Sequence, residues 1–283
     1  MNTSLMWFRY DLRLIDNAAF FEASKCKSCM PIYILDDEFS RSENTSNFHL
    51  NFIKSSLLNL NNNLKKKFDT SLNFYSGDTI DILSHLISNY KITEVYSNKI
   101  FKNAFQTLID KKVELMLNDK QIKWIQKNQF GIQLNNRVRG KWSSHWSKFI
   151  NSPISKDPIF TNFIIDKNNQ LNFKSKFKLM AVQEGGENNA IQCLESFLKV
   201  RHQKYSREMS SPITAEGSCS RLSPHITYGT ISLKFIVKKL ENVIDLKNSD
   251  KKSLIAFKKR LAWHCHFIQK LYDEPSFEFN TMH

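Results

Sequence analysis

Five short apolar runs, each separated from the next by a helix-length amphipathic stretch, constrain the first half of this chain more than any other feature. Residues 5–8, 31–36, 72–75, 94–97 and 122–125 have the length and apolar character of buried strands. Between them, residues 18–24, 48–67, 79–90 and 101–118 carry helical periodicity. In residues 48–67 the apolar positions are Leu50, Ile53, Leu57, Leu58, Leu60 and Leu64, and Asp16-Asn17 stands where a cap for residues 18–24 belongs. This alternation predicts a parallel five-stranded sheet, open and Rossmann-like, with helices on both faces. Such sheets bind ligands at the carboxyl ends of their strands, near the point where strand order reverses. No glycine-rich dinucleotide loop follows the first run, which disfavours a plain NAD-binding domain.

From about residue 130 the pattern changes. Residues 135–166 look irregular, with Arg137, Arg139, Lys141, Trp142 and Trp146 close together and prolines at 153 and 158. They read as a long connector. Gly185-Gly186-Glu187 ends it, and residues 189–204, 231–246 and 254–272 are helical in period and length. The expected division is therefore an α/β domain over 1–128, a connector over 129–185 and a helical domain over 186–283.

Charge narrows the partners. Lys and Arg total 41 against 27 acids, a formal net charge of +14, and residues 234–270 hold ten basic residues and three acids. This balance favours phosphate-bearing partners, nucleic acid first. Drift in a genome rich in Lys, Asn and Ile codons is the competing explanation, and Asn61-Asn62-Asn63 and Lys65-Lys66-Lys67 fit it. No apolar run reaches eighteen residues, and the first residues lead straight into a strand, so a cytoplasmic protein without membrane span or signal peptide is expected. Five cysteines are too few and too scattered for a disulfide framework. Cys26-Lys27-Ser28-Cys29 has a redox or zinc spacing but no second pair beside it, so structural roles are expected there.

The run Gly217-Ser218-Cys219-Ser220-Arg221-Leu222-Ser223-Pro224 places hydroxyls and an arginine just ahead of a helical segment. Free N–H groups, hydroxyls and a guanidinium in that position suit an anionic group. An ordinary Ser-rich helix cap accounts for the same residues.

Three stretches together resemble the photolyase and cryptochrome family. Trp7-Phe8-Arg9-Tyr10-Asp11-Leu12-Arg13-Leu14-Ile15-Asp16-Asn17 is similar to its opening signature. Cys219-Ser220-Arg221-Leu222-Ser223-Pro224 resembles its flavin-phosphate loop, with Tyr205 matching a flavin-contacting tyrosine. Phe257-Lys258-Lys259-Arg260-Leu261-Ala262-Trp263-His264-Cys265-His266-Phe267 resembles the helix that lies against flavin and DNA. The resemblance implies an antenna domain followed by the first part of an all-α FAD-binding domain. It places Tyr205, Cys219, Ser220, Arg221, Leu222, Ser223 and Phe257 at FAD, and Arg260, Trp263, His264 and Phe267 at damaged DNA. It implies light-driven repair of pyrimidine dimers of the deoxyribodipyrimidine photolyase type, by electron transfer from reduced FAD to a flipped-out lesion. Blue-light reception and a non-enzymatic antenna or DNA-binding remnant are the alternatives, and an unrelated α/β nucleotide-binding enzyme is a third. An antenna pigment of folate or deazaflavin type stays unassigned.

The departures from the family are specific. Cys219 stands where a Thr is usual, Arg260 where dimer-repairing members carry a Glu, and Met209 where an Arg is usual. The family's helical domain continues past the point where this sequence stops, so no catalytic residue is expected in the chain, and a second polypeptide is an expected partner. Helical faces of 231–246 and 254–272 are then expected to lie uncovered. His264 and His266, two apart on a helix, point away from each other and disfavour a shared metal. A solvated charged face explains Lys258-Lys259-Arg260, and core packing explains Trp263, as simply as binding does. Arg9, Asp11, Arg13 and Asp16 suit an antenna pigment or pairing within the fold.

Overall fold

The computed structural model describes residues 2–135, 138, 140–159, 161–167, 183–246 and 251–281. Arg137 and Arg139 of the connector lie outside the described residues. Five strands form as the alternation predicts: β1 (Thr3–Phe8), β2 (Ser28–Asp36), β3 (Asn73–Gly77), β4 (Glu94–Asn98) and β5 (Lys123–Lys127). They run parallel in the order β3-β2-β1-β4-β5. Strand order therefore reverses between β1 and β4, where Leu5 sits between Met30 and Val95.

Alternate side chains of β1 feed opposite cores, as the pleat requires. Met6 and Phe8 pack with α1 (Ala18–Ala23) and α3 (Asn47–Phe68) through Phe20, Phe52, Leu57 and Leu64. Leu5 and Trp7 pack with α4 (Thr79–Asn89) and α5 (Ala104–Asp119) through Leu83, Leu86, Ile109 and Val113. A short α2 (Asp37–Arg41) follows β2. Asn17 caps α1 by accepting from the Phe20 N–H at 3.1 Å. The fourth predicted helix begins three residues late, because Asn103 caps α5 by accepting from Gln106 N–H.

The connector is more ordered than its composition suggests. It contains α6 (Trp142–Ile150), whose Trp146 and Ile150 join the helical core, and β6 (Asn162–Phe163), which pairs with β2. The expected helix over 189–204 also divides. The structure has α7 (Glu187–Lys199), a break at Val200, a 3-10 turn over Arg201–Lys204 and a one-turn α8 (Tyr205–Glu208). The His202 ring contacts the Phe197 carbonyl at 3.1 Å and the Arg201 guanidinium turns back onto α7, so side chains take over where backbone bonding stops.

Two one-turn helices follow, α9 (Ala215–Ser218) and α10 (Ser223–Thr227), then α11 (Leu233–Leu246) and α12 (Lys251–Asp273). Among the described residues, most of the apolar positions expected to lie uncovered on the last two are covered. Ile236, Val237 and Leu240 of α11 and Leu254, Phe257, Leu261 and Cys265 of α12 are buried in one core with α6 and α7. The exposed large apolar residues on α12 are Ile255, Trp263 and Phe267. Ser253 Oγ donates to Ser206 Oγ at 3.1 Å near one end of α12, and Gln269 exchanges hydrogen bonds with the Gln133 backbone near the other.

Residues 9–17 hold the two cores together. The Arg9 guanidinium lies 4.2 Å over the Trp7 ring and pairs with Asp110 of α5. Arg13 donates to the carbonyls of Ile15, Asp16 and Gly229. Asp16 accepts from Ser155 N–H and pairs with Lys234 of α11 at 3.1 Å, both side chains being largely buried. Leu12 N–H donates to the Tyr228 carbonyl, and Tyr10 stacks on Tyr228 with ring centroids 5.9 Å apart. The buried Glu187 carboxylate accepts from the N–H groups of Leu14 and Ile15. Burial pushes its pKa up, and those two donors pull it back. Of the two readings left open for the charged signature, every side chain is engaged in the fold.

Candidate functional site

The loop at 219–222 is defined by what grips its carbonyls. Arg201 donates through Nη1 to the Cys219 carbonyl and through Nη2 to the Ser220 carbonyl. The Cys193 thiol also reaches the Ser220 carbonyl, at 3.1 Å, and Gln183 Nε2 donates to the Arg221 carbonyl at 2.8 Å. Three consecutive carbonyls are thus held by side chains, those of Cys219 and Ser220 from the α7 side and that of Arg221 nearer the surface. Leu222 is fully buried and anchors the loop in the helical core.

The opposite side of the same backbone is open. Arg221 has a left-handed φ of 57° and Leu222 a right-handed conformation, the alternation that turns successive N–H groups toward one concavity. Among the described residues the N–H groups of Ser220, Arg221 and Ser223 find no acceptor. Arg221 and Ser223 are exposed, and the Arg221 guanidinium pairs with Glu216, itself a surface residue. The serines do not cap the long helix that follows. Ser232 does, accepting from Phe235 N–H at 3.0 Å.

Tyr205 and Phe257 lie in the core beneath the loop. Their rings meet edge to face at 5.7 Å, and both touch Phe197. Burial raises the pKa of Tyr205; Cys219 adds to the rise and Arg260 opposes it, so those two side chains neighbour its phenol. Cys219 is likewise raised by burial, with Arg201 pulling it down.

On α12 the predicted DNA residues fall on two faces. Arg260, Trp263 and Phe267 share the exposed one. Trp263 and Phe267 have ring centroids 5.9 Å apart, with Arg260 over the first and Lys270 over the second. His264, one residue on, is rotated about 100° away. It packs on Phe130 at the seam with the α/β layer, and its Nδ1 has no partner among the described residues. Burial first, then Lys102, lowers its pKa to about 4. His225, which contacts Thr230 Oγ1 at 2.8 Å, is lowered to about 4 by burial. No cluster of three metal-ligating side chains occurs among the described residues, and no described helix is long and apolar enough to cross a membrane.

Both histidines are neutral in the folded protein and protonate more readily when unfolded. Their contribution is complete above the unfolded pKa near 6.5 and is lost as pH falls toward 4. Between pH 7 and pH 5 each is expected to remove about 1–2 kcal/mol of stability. Thermal melts of the wild type and of His264→Asn check this: the variant should lose less on acidification, and equal losses would overturn the assignment.

Sequence reasoning missed Arg201, Gln183 and Cys193. The one signal was a basic residue in an apparent helix interior, at the point where the helix in fact ends.

An open parallel sheet joined through a strand-exit loop to a helical half defines the fold class, an α/β layer followed by an all-α one. Comparisons specify the class further. Residues 4–131 match the DNA photolyase family model. Cryptochrome-1 of Spalax judaei is 24% identical over 302 residues, covering 96% of this chain and 51% of that protein. A bacterial class III photolyase from Agrobacterium tumefaciens has a similar fold, with a TM-score of 0.80, 21% identity and coverage of 99% of this chain and 61% of that one. An archaeal photolyase from Sulfolobus tokodaii, solved with two FAD molecules, gives a TM-score of 0.70 at 21% identity, covering 96% and 60%. The chain is thus similar to photolyases and cryptochromes, in sequence over residues 4–131 through the family model and in fold along nearly its whole length. It spans about half the length of the curated relatives it matches over most of its length.

Proposed function

We propose that this chain is a photolyase-type flavoprotein, with residues 1–128 as its antenna domain, 129–185 as connector and 186–283 as part of an FAD-binding domain. The observation that carries the reading is the turn at 220–223, where side chains hold the carbonyls of Cys219, Ser220 and Arg221 and the N–H groups of Ser220, Arg221 and Ser223 have no acceptor among the described residues. These groups fit a pyrophosphate: they are all donors, and the anion would complete them. Ser220, Arg221 and Ser223 hold the phosphates, Leu222 and Cys219 fix the turn, and Tyr205 with Phe257 forms the floor. Bound FAD supplies the light-driven electron; the chain supplies placement and charge. Arg260, Trp263 and Phe267 form the surface for damaged DNA, the aromatics stacking on an extruded base and the cations meeting phosphate. His264 acts behind that surface, as packing. The substrate class is a pyrimidine dimer, and a second polypeptide is a proposed partner.

A receptor reading has its own support. Relatives along 96% of the chain are cryptochromes, and Arg260 replaces the glutamate that the resemblance places in dimer-repairing members. Flavin titration, followed by illumination with dimer-containing DNA, tests both readings. Retained FAD with dimer loss supports repair, retained FAD without it supports reception, and absence of flavin binding overturns both. On the DNA side, Trp263→Ala should weaken binding to dimer-containing DNA about 5–30-fold. Arg260→Ala should lower the salt slope by about 1. Fluorescence anisotropy at two salt concentrations reads both, and binding unchanged by either substitution would exclude this surface.

A further inference from the structure

We propose that Arg201 is the positioning residue of the phosphate-binding turn: it touches no ligand, and its guanidinium sets the direction in which the turn's N–H groups point. This rests on the flavin reading above. The guanidinium sits between α7 and the loop, which the buried Leu222 and the Cys193 thiol also join. On one side Nη2 donates to the Cys193 carbonyl at 2.7 Å and the Ser196 hydroxyl at 2.9 Å, both on the last turns of α7. On the other side it takes the carbonyls of Cys219 and Ser220. A peptide unit has one carbonyl and one N–H in opposition, so fixing two successive carbonyls inward fixes the following N–H groups outward. Only a planar fork with several donors bridges these acceptors; a lysine offers one compact head.

The arrangement is specific to this loop. A cation near the last turns of α7 would be favourable anywhere, yet this one is directed past the helix onto the carbonyls of residues eighteen and nineteen positions later. The left-handed φ at Arg221 costs conformational energy in a non-glycine residue and persists only where its surroundings hold it. Arg201, Cys193 and Gln183 are those surroundings. Arg201 contributes the only permanent positive charge among the three.

The test compares wild type, Arg201→Lys and Arg201→Met in the full chain. Hydrogen exchange by mass spectrometry on peptides covering 215–224 reads the turn without any ligand. Titrations with FAD, ADP and riboflavin read its use, since riboflavin lacks the phosphates. Arg201→Met is expected to speed exchange across 215–224 at least tenfold and leave β1 and β4 unchanged. It should weaken FAD and ADP about 10–100-fold and riboflavin less than twofold. Arg201→Lys should restore the melting temperature but less than half of the lost affinity, in logarithmic terms. Unchanged exchange in Arg201→Met, or an equal loss of riboflavin, would overturn the proposal. If the wild type binds neither FAD nor ADP, the flavin reading fails, and exchange alone still decides whether Arg201 orders the turn.

Discussion

Replacing Gly229 with alanine will uncouple the helical half of the molecule from the sheet. A methyl group at this position would lie 2.0 Å from the Tyr10 carbonyl oxygen and 2.6 Å from the Asp11 Cα, and the residue has a φ of 63°. Neither neighbour is the end of a flexible side chain; both are backbone held by Leu12, Asp11 and Arg13 contacts. Strain from the positive φ adds about 1 kcal/mol, and relieving the overlap requires opening the Tyr10–Tyr228 stack and the Arg13–Gly229 hydrogen bond. A loss above roughly 4 kcal/mol is expected, a fall in melting temperature of about 8–16 °C. Limited proteolysis should release the α/β half as a resistant fragment. Gly217→Ala is the control, because nothing lies within 4 Å of its added carbon. A Gly229→Ala protein melting with the wild type would show that the seam does not hold the molecule together.

The second large effect is expected at Asp11. Its fully buried carboxylate accepts from Arg9 N–H at 2.7 Å, from Asn98 Nδ2 at 2.7 Å and from Asn17 Nδ2 at 3.2 Å. Asn17 and Asn98 are themselves buried, at the switch between β1 and β4. Burial raises the Asp11 pKa, and the donors together with Arg13 oppose that rise. Asp11→Ala leaves those donors without an acceptor in a dry site and should destabilise by about 3–5 kcal/mol. Urea unfolding monitored by circular dichroism checks this, and a loss under about 1 kcal/mol would mean the network reorganises around water. Asp11→Asn keeps one acceptor and should fall between.

Much of the fold is written locally, and that is why it was readable. Each strand of the sheet carries its own apolar run, and α3 carries nearly twenty residues of helical period; neither needs knowledge of a partner. Where the signal is short or shared, reading stops. The period in α6 is present, with Trp142, Trp146, Phe149 and Ile150 on one side, but only nine residues long and followed by two prolines. The two residues of β6 exist as a strand solely because β2 offers an edge. The break at Val200 depends on side chains of Arg201 and His202 that look helical in sequence.

The candidate site divides in the same way. The turn at 219–223 was visible as a composition of serines and an arginine, but its working groups are backbone N–H, which no composition reveals. Trp263 and His264 are neighbours in the stretch whose resemblance places both at DNA. A helix separates neighbours by about 100°, so one faces solvent and the other the seam. The charged opening signature, legible as a unit, gave no sign that Arg13 and Asp16 reach the helical half while Arg9 and Asp11 stay within the sheet half.

The attachment of α12 has a mechanical consequence. The helix is clamped twice, to Ser206 through Ser253 and to the segment leaving the sheet through Gln269, roughly 24 Å apart along its axis. Arg260, Trp263 and Phe267 lie within that span. A rod fixed at both ends resists rolling about its axis, and rolling is the motion that would carry the aromatic pair off its present face. One clamp belongs to the helical half, beside Tyr205, and the other to the exit from β5. The bearing of the exposed aromatics is thereby referenced to both halves at once, as a bridge deck takes its level from both abutments.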